Sequence, residues 1–389
     1  MSELALEPRA PAWVASVTVD GAAIELDDVL ASVSVRHGRD DVDGQAQAST
    51  ATLTFRNVTP AILPTFEPGL ELDVVATSGR SLFVGVITDE TLLDDGAGGA
   101  LEVIATGVLA IAGRRPVGGH AWPAELWAAR VQRILAEAGL ELVVTAPTPD
   151  VPIAATKPSQ EADPDTGTPE VWETVSALDA LERAREDVGA AIFDDAGSVY
   201  VQAFDSRAEL FDPIDVDPAL VLYAPAWSRT LDVANRIVLG YGYGDGSVTV
   251  DDPVSQGRFG VRMTGYFETG LADEPTARDR AVIWLDRVAF PRWKLPEIVL
   301  LEPHDLHVGQ KLELSDLPAW APFLAWSPIV EGWTDTIEGD LWTQTVVVSD
   351  PVFSGLAEPW ADVPATLLWQ DVNPACLWRD TDHLSNLSP

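Results

Sequence analysis

The sequence predicts a mainly β protein with α+β insertions. Short stretches of alternating apolar and polar residues, bounded by Gly, Asp and Pro, fill the first hundred residues and return after about residue 226. Between them, apolar residues recur at helical spacing. The chain has 389 residues, of which 47% are hydrophobic, so it can form two or three domains with their own cores.

Residues 1–112 are predicted to form an N-terminal β-barrel, although the strand pattern alone also fits a sandwich. The sequence "DDGAGG" at 94–99 is expected to be a connecting turn. Alternation and turn residues predict six strands: Val17–Val19, Ser32–Val35, Thr50–Phe55, Leu70–Val75, Leu82–Thr88 and Leu101–Ala105.

Residues 113–225 are predicted to form α+β insert domains. A second helix, over about 169–188, leads into an alternating hairpin at 190–204, which together make a helix-hairpin α+β domain. The linker between the two predicted helices is rich in Pro, Asp and Thr, and we expect it to be partly extended. The first helix is expected over about 122–139, with an apolar stripe of Leu126, Trp127, Ile134, Leu135 and Ala138.

Residues 226–350 are predicted to form a second β-barrel that contains a helix at about 274–289. The run "GYGYGDGS" at 240–247 lacks the spacing of a dinucleotide-binding loop and precedes a strand-like stretch, so we expect a hairpin turn there. The later predicted strands are Glu297–Leu301, Lys311–Leu314, Ile329–Trp333 and Trp342–Val348.

The two β regions share a pattern of residues. "PGLELDVV" followed by "VGVITDE" has a counterpart in "VGQKLELS" followed by "VEGWTDT", which matches Gly69 to Gly309. The same comparison matches Gly85-x-x-Thr88-Asp89 to Gly332-x-Thr334-Asp335. Because a repeat changes the predicted architecture, we treat two related β-domains as a hypothesis to be tested.

Composition argues against several classes of protein. A net charge of -37 disfavours binding of nucleic acid through its phosphates and binding to an anionic membrane surface. The single cysteine, Cys376, excludes an internal disulfide framework and a cysteine-rich zinc site. The N-terminal residues lack the features of a signal peptide, and no apolar run is long enough to span a membrane, so we expect synthesis in the cytoplasm without membrane insertion.

No pattern of catalytic or metal-binding residues stands out, and we expect neither an enzyme nor a cofactor or metal site. The segment "RHGRDDVDG" does not follow the order of a calcium-binding loop, so Arg36 and Arg39 are interpreted as partners of acidic groups in this chain or in a neighbouring subunit. His304 and His307 lie outside any helical zinc motif. Pairs of carboxylates are too numerous among 61 acidic residues to indicate a glycosidase.

Tryptophan is abundant, with 14 residues concentrated late in the chain. Those before about residue 350 are expected to fill cores and domain interfaces. The segment 351–389 is rich in Pro and turns, and we predict that it is a C-terminal tail that docks on its own chain or on a partner. Its candidate contact residues are Leu367, Leu368, Trp369, Leu377 and Trp378.

Several segments in order resemble a known family. "SVSVRHGRDDVDGQAQASTATLTFRN", "PGLELDVV", "LFVGVITD", "ARVQRILAEAGL", "NRIVLGY", "AVIWLDRVAFPRWKLPEI" and "LHVGQKLELSDL" are similar to segments of minor tail proteins from siphophages that infect actinobacteria. The resemblance spans about residues 15–350 and departs from the family pattern at Ser49 and in the C-terminal tail. It implies a tail-tip hub similar to the baseplate hub of contractile tails and to the base of the type VI secretion spike.

This resemblance implies a structural, non-enzymatic protein of the virion. It implies a homotrimer in which each chain contributes two related β-barrels to a hub ring that faces a sixfold tail tube. Expected partners are the distal tail protein and tube on one side and a fibre, spike or tape-measure protein on the other, with DNA delivered through an acidic channel that does not bind it. Arg36 and Arg39 are candidate interface residues. Two alternatives stay open: a carbohydrate-binding receptor protein or glycan-degrading enzyme at the tail tip, and a hexameric distal tail adaptor.

Overall fold

The computed structural model of the protein is mainly β with helical insertions, as predicted. It describes residues 12–24, 29–39, 45, 47–58, 63–93, 99–140, 142–144, 151–162, 169–202, 211–217, 220–223, 227–229, 231–294, 297–315, 317 and 326–349. Within these ranges no helix is both long and apolar enough to cross a membrane.

The described residues form strands and helices with the following bounds. The strands are β1 (Val14–Val19), β2 (Ala22–Ile24), β3 (Leu30–Gly38), β4 (Thr50–Arg56), β5 (Glu71–Ala76), β6 (Ser81–Leu93), β7 (Ala100–Thr106), β8 (Pro116–Gly118), β9 (Glu125–Leu126), β10 (Leu142–Val144), β11 (Pro152–Ile153), β12 (Thr174–Ser176), β13 (Ala191–Asp195), β14 (Ser198–Gln202), β15 (Ile214–Val216), β16 (Val221–Tyr223), β17 (Ser228–Arg229), β18 (Arg236–Tyr241), β19 (Gly246–Asp251), β20 (Met263–Glu268), β21 (Trp293–Lys294), β22 (Glu297–Leu300), β23 (Leu312–Leu314), β24 (Ile329–Glu338) and β25 (Leu341–Ser349). The helices are α1 (Val108–Ala112), α2 (Trp127–Ala138), α3 (Ala177–Val188), α4 (Pro253–Phe259) and α5 (Glu274–Val288).

A sheet of eleven strands, here called the platform sheet, has the order β16-β22-β25-β24-β3-β4-β7-β6-β5-β1-β2. Strands from the two ends of the chain meet in its middle, where β3 pairs antiparallel with β24 from Ser32 opposite Glu338 to Gly38 opposite Gly332. Since side chains alternate between the faces of a sheet, the platform buries apolar side chains in two cores, one mainly under β16, β22, β24 and β25 and the other mainly under β1 and β3–β7. Val33, Leu53 and Val103 of the latter core are fully buried.

The prediction of two separate barrels needs correction. In the described part of the chain, β1–β7 of the first predicted barrel and β22, β24 and β25 of the second join in one open sheet, whereas β18–β20 and β23 lie in other sheets. The cause is the pairing of β3 with β24, which joins residues far apart in sequence. Local alternation predicts each of these strands, but it carries no information about which distant strand lies beside it.

The insertions share a third hydrophobic core. This core contains buried residues of α2, α3 and the hairpin β13–β14, and also of β18, β19 and α5. The predicted domain boundary between residues 225 and 226 therefore does not separate two cores. Instead, residues 236–288 pack with the insert, whereas β22–β25 return to the platform sheet.

Two helices are shorter than predicted, and the third agrees. Leu126 is extended and 48% exposed in β9, so α2 begins at Trp127 rather than at residue 122. Helix α3 begins at Ala177 rather than at residue 169, because β12 precedes it and the Ser176 hydroxyl caps it by accepting a hydrogen bond from the backbone N–H of Asp179 at 3.0 Å. The predicted third helix corresponds to α5.

The platform sheet contains the same arrangement twice. Its order reads β16-β22-β25-β24 and then β3-β4-β7-β6, so each strand of the second group has a counterpart in the first. The backbone N–H of Gly69 donates to the carbonyl of Ile87 at 2.8 Å, and the N–H of Ile87 donates to the carbonyl of Leu70 at 2.9 Å. In the same way, the N–H of Gly309 donates to the carbonyl of Val330 at 2.7 Å, and the N–H of Val330 donates to the carbonyl of Gln310 at 2.9 Å. The predicted match of these glycines is confirmed in their bonding, and both have positive φ, 102° and 86°.

A β-bulge follows at the same place in both copies. The register shifts between Ile87 and Asp89 where β6 pairs with β7, and between Val330 and Gly332 where β24 pairs with β25. Gly332 is therefore the structural counterpart of Asp89. Since Ile87 corresponds to Val330, Gly85 corresponds to Pro328. The predicted match of Gly85 to Gly332 was therefore wrong in register, because it aligned residue types rather than paired strand positions.

Candidate functional site

The outer face of the central platform strands carries mostly hydroxyl side chains. These residues alternate with the buried core residues and are half-buried or exposed. They line up across the strands, as in the row of Thr345, Thr334, Arg36, Thr50 and Thr106. The hydroxyl residues of this face are Ser32, Ser34, Thr50, Thr52, Thr54, Thr106, Thr334, Thr336, Thr343 and Thr345. The result is a broad, polar and largely uncharged surface across five strands.

The two arginines singled out in the sequence occupy different environments. Arg36 lies in β3 on the hydroxyl face, where its guanidinium donates to the side-chain carbonyl of Gln47. Arg39 follows β3 and is 2% exposed. Its Nε and Nη2 donate to Oε2 of Glu331 at 2.9 and 2.5 Å, and Ser349 donates to the other oxygen at 2.6 Å. Arg39 thus braces its own chain across the β3–β24 joint.

Trp333 and Trp342 of the platform are core residues, as predicted. The carboxylate of Asp335, itself fully buried, accepts hydrogen bonds from the indole N–H groups of Trp333 at 2.9 Å and Trp342 at 2.7 Å. The His37 ring stacks on Trp333 with 4.7 Å between centroids. Burial lowers the pKa of His37, although Asp195 and Asp335 oppose that shift. This cluster fixes the joint between β3 and β24.

Sequence reasoning missed a buried carboxylate that links the platform to the insert. Asp194 of β13 accepts hydrogen bonds from the backbone N–H groups of Ser49 at 2.6 Å and Leu109 at 2.9 Å. A Cβ at Gly107 would collide with the same carboxylate. Burial raises the pKa of Asp194. The departure from the family pattern at Ser49 was the available signal, since a hydroxyl at a strand start often has a specific partner.

Two strands from the two groups, β24 and β3, pair in the middle of the platform sheet, and their counterparts, β16 and the final stretch of β6, each have a side that no described strand covers. There, β24 pairs along Gly332–Glu338 with β3. The matching stretch of β6, Asp89–Leu93, pairs with β7 on one side, and no described strand pairs with its other side. All five of its residues are exposed, Leu92 by 60% and Leu93 by 45%. At the opposite end, β16 pairs among the described strands with β22 alone.

A cavity of about 440 Å³ lies in the insert, between α3, the segment 172–175 and the turn after β18. Trp122, Trp172 and Tyr243 contribute aromatic side chains to its wall. Asp187 of α3 also lines it, and burial raises the pKa of this carboxyl group to about 7, even though the N–H of Gly270 donates to it at 2.8 Å. The sequence did not predict this cavity, because its walls come from separate insertions.

The other sequence candidates are accounted for as follows. The "GYGYGDGS" run is the turn of the β18–β19 hairpin, as predicted. Among the described residues, no cluster of His, Cys, Asp and Glu could hold a metal ion. The tail residues Leu367, Leu368, Trp369, Leu377 and Trp378 lie outside the described residues.

The fold is similar to those of phage tail proteins. The tail protein from Neisseria meningitidis MC58 superposes with a TM-score of 0.61 at 12% identity, over 88% of this chain and 98% of that chain. The 43 kDa tail protein of prophage MuSo2 from Shewanella oneidensis gives a TM-score of 0.59 at 10% identity, over 87% and 99% of the two chains. The prediction of a phage-tail fold is therefore confirmed.

A related similarity extends to a secretion system. The E. coli c3393 protein, a type VI secretion component with structural similarity to the T4 bacteriophage tail proteins gp27 and gp5, gives a TM-score of 0.50 at 11% identity. That match covers 86% of this chain and 76% of the other. No protein-family model and no curated protein sequence matches this chain.

Proposed function

We propose that this protein is a structural hub subunit of a phage tail tip that assembles as a homotrimer in the virion. The observation that carries this proposal is the tandem arrangement of two equivalent four-strand groups in the platform sheet, with unpaired edges at corresponding places. The similarity of the whole fold to phage tail proteins supports the same assignment. Siphophages of actinobacteria, indicated by the sequence resemblance, are the proposed source of the tail.

The trimer follows from repetition of the β24–β3 joint. Within one chain this joint places the second group of strands beside the first. The same joint between chains would bring β16 of one subunit to the Asp89–Leu93 edge of the next. Ser228–Arg229 (β17) would continue the β16 side of this contact, because β17 pairs with β21, the strand just before β22. Such a contact is head-to-tail, and it forms a ring when the rotation closes. Three chains would then supply six equivalent groups, which matches the sixfold symmetry of a tail tube and also covers the exposed strand edges.

The hydroxyl face would line the channel of this ring. Hydroxyl groups keep the surface hydrated, and the scarcity of Lys and Arg on it avoids attraction to the phosphates of passing DNA. This assignment modifies the expectation of an acidic lining, because the carboxylates on the hydroxyl face of the five strands, Glu102 and Glu338, lie in a single row. Arg36 would face the channel in this arrangement rather than a neighbouring subunit.

The hub would connect two sets of partners. We assign the distal tail protein and tail tube to one end of the ring, and a fibre, spike or tape-measure protein to the other. The tail at 351–389, through Leu367, Leu368, Trp369, Leu377 and Trp378, would dock on one of these partners or on a neighbouring copy. Host attachment and DNA delivery would then depend on assembly rather than on catalysis.

Cysteine cross-linking tests the proposed contact. The variant Asp89→Cys/Ser228→Cys, made in a Cys376→Ser background, places a thiol at each exposed edge. A short bis-maleimide should produce covalent trimers on a denaturing gel. The control, Asp89→Cys/Ser247→Cys, keeps the first thiol and moves the second to the exposed face of β19, so it should produce none. A product that stops at monomer would contradict the contact, and a hexamer by native mass spectrometry would favour the distal adaptor.

A further inference from the structure

The insert cavity has the size and composition of a small-molecule site. Its volume of about 440 Å³ falls within the range of ligand pockets, roughly 300–1,000 Å³, which are typically lined by aromatic residues with a few polar groups. It opens at the surface beside the core of the insertions, and none of its lining residues belongs to the platform sheet. The proposed hub assembly therefore leaves it without a role.

The aromatic side chains of the cavity are held firmly in place. The indole N–H of Trp122 donates to Glu137 at 2.9 Å, and the Arg130 guanidinium lies 5.3 Å from the centre of the Trp122 ring. Arg130 also donates to the hydroxyl of Tyr243 at 3.0 Å. Because Arg130 is buried, these contacts order two of the three aromatic residues before any ligand enters.

Tyr243 occupies a backbone conformation that costs energy. Its φ is 52°, in the left-handed region that bulky residues rarely adopt. The glycine opposite is required as well, since a Cβ at Gly270 would lie 2.6 Å from the Tyr243 hydroxyl and 3.0 Å from Asp187. Strain of this kind persists where surrounding contacts enforce it, and it is concentrated at ligand sites.

The two basic side chains that line the cavity, Lys157 and Arg183, each pair with a carboxylate. Arg183 donates to both oxygens of Glu173 at 3.0 and 3.2 Å, and Lys157 lies 2.6 Å from Asp245. Since each cation already has a carboxylate partner, a phosphate or other polyanion gains little at this site. A neutral ligand that both donates and accepts hydrogen bonds can use these groups without disrupting the pairs.

We propose that this cavity binds a neutral pyranose unit of a glycan. The C–H face of a pyranose ring is apolar enough to pack on an aromatic face such as that of Trp172, while its hydroxyl groups bond to polar groups such as Asp187 and Glu268 at the wall. This binding function goes beyond the hub role and does not depend on it. It would give the insert a means of contacting saccharides on the host surface.

Binding of simple glycosides tests this proposal. The probes are methyl glycosides of glucose, galactose, mannose and N-acetylglucosamine, offered to the full-length protein and followed by saturation-transfer NMR. At least one should show transfer to its ring protons with a Kd in the millimolar range. Trp172→Ala should weaken that binding at least about tenfold, whereas Trp172→Phe should retain most of it. Trp13→Ala, a tryptophan substitution in the platform outside the cavity, should leave binding unchanged.

Three results would overturn the assignment. The first is the absence of transfer to every glycoside, while circular dichroism shows the protein to be folded. The second is binding that survives Trp172→Ala, because the site would then lie elsewhere. The third is tight binding of tetramethylammonium that Trp172→Ala abolishes, with no glycoside binding, since the aromatic residues would then form a site for cations.

Discussion

The hydroxyl of Ser49 donates to the Asp194 carboxylate at 2.7 Å, and its backbone N–H donates to the same oxygen at 2.6 Å. The two residues are 145 positions apart and both are buried. Ser49 immediately precedes β4 of the platform, whereas Asp194 lies in the β13–β14 hairpin of the insert. This pair therefore fixes the insert to the sheet that carries the proposed assembly edges.

Ser49→Ala is expected to destabilise the protein by about 1–3 kcal/mol, because it removes a hydrogen bond to a buried charged group. The free energy of unfolding, measured by urea denaturation, tests this value. Ser247→Ala is the matched control, since Ser247 is exposed on β19 and its loss should change stability by less than about 0.5 kcal/mol. Equal effects of the two substitutions would show that the Ser49–Asp194 contact contributes little.

The paired glycines make a second prediction. Gly69→Ala should destabilise the protein by about 1 kcal/mol, because Gly69 has φ of 102° and alanine is strained there even though a Cβ would meet no atom within 4 Å. Gly309→Ala, with φ of 86°, should have a similar effect. Gly257→Ala is the control: a Cβ also meets nothing within 4 Å, but the residue lies inside α4, so the change should stabilise by up to about 1 kcal/mol. Thermal unfolding distinguishes the opposite signs.

The buried Arg39–Glu331 pair should show strong coupling. Arg39→Met removes the guanidinium that pairs with the buried Glu331 carboxylate, and should cost about 3–5 kcal/mol. Adding Glu331→Gln removes the buried negative charge and should recover part of that loss. A double-mutant cycle in urea measures the coupling, and additive effects would mean that the pair contributes no net interaction.

Asp187 predicts a pH dependence of stability. Its folded-state pKa of about 7 lies above the unfolded value of 3.8, so the folded protein holds a proton that the unfolded chain releases between those pH values. Stability should therefore fall as the pH rises from about 4 to about 7 and level off above that, by an amount on the order of 4 kcal/mol. Asp187→Asn should remove this part of the slope, whereas Asp179→Asn, on the exposed side of the same helix, should retain it. A wild-type slope in Asp187→Asn would assign the titration to another group.

Local pattern predicted most of the platform strands correctly. Alternation alone located Thr50–Phe55 within β4 and Leu101–Ala105 within β7, because each strand has one face in a core and one in a polar environment. It could not show that β3 pairs with β24, since that contact depends on residues from opposite ends of the chain. Among the sequence features, the match of Gly69 to Gly309 was the one that indicated a repeated arrangement of strands in the two β regions.

The sites were harder to predict than the strands. Arg39 pairs with an acidic group of its own chain, which was one of the two interpretations from the sequence, but no residue pattern indicates that the partner is Glu331 at a β-bulge. The cavity combines Trp122, Trp172 and Tyr243 from three separate segments. None of these segments has a motif of its own, so only their packing brings the aromatic residues together.

The exposed end of β6 supplies the last prediction, which concerns assembly rather than folding. Leu92→Lys/Leu93→Lys should abolish the proposed trimer, because charged side chains would have to be buried at the joint. Both leucines are exposed in the single chain, so its thermal stability should change little. Light scattering measures the mass, and Val254→Lys is the control, since Val254 is 71% exposed on α4 in the insert. A trimer that persists in the double variant would place the subunit contact elsewhere, whereas monomers from Val254→Lys would show that added charge alone prevents assembly.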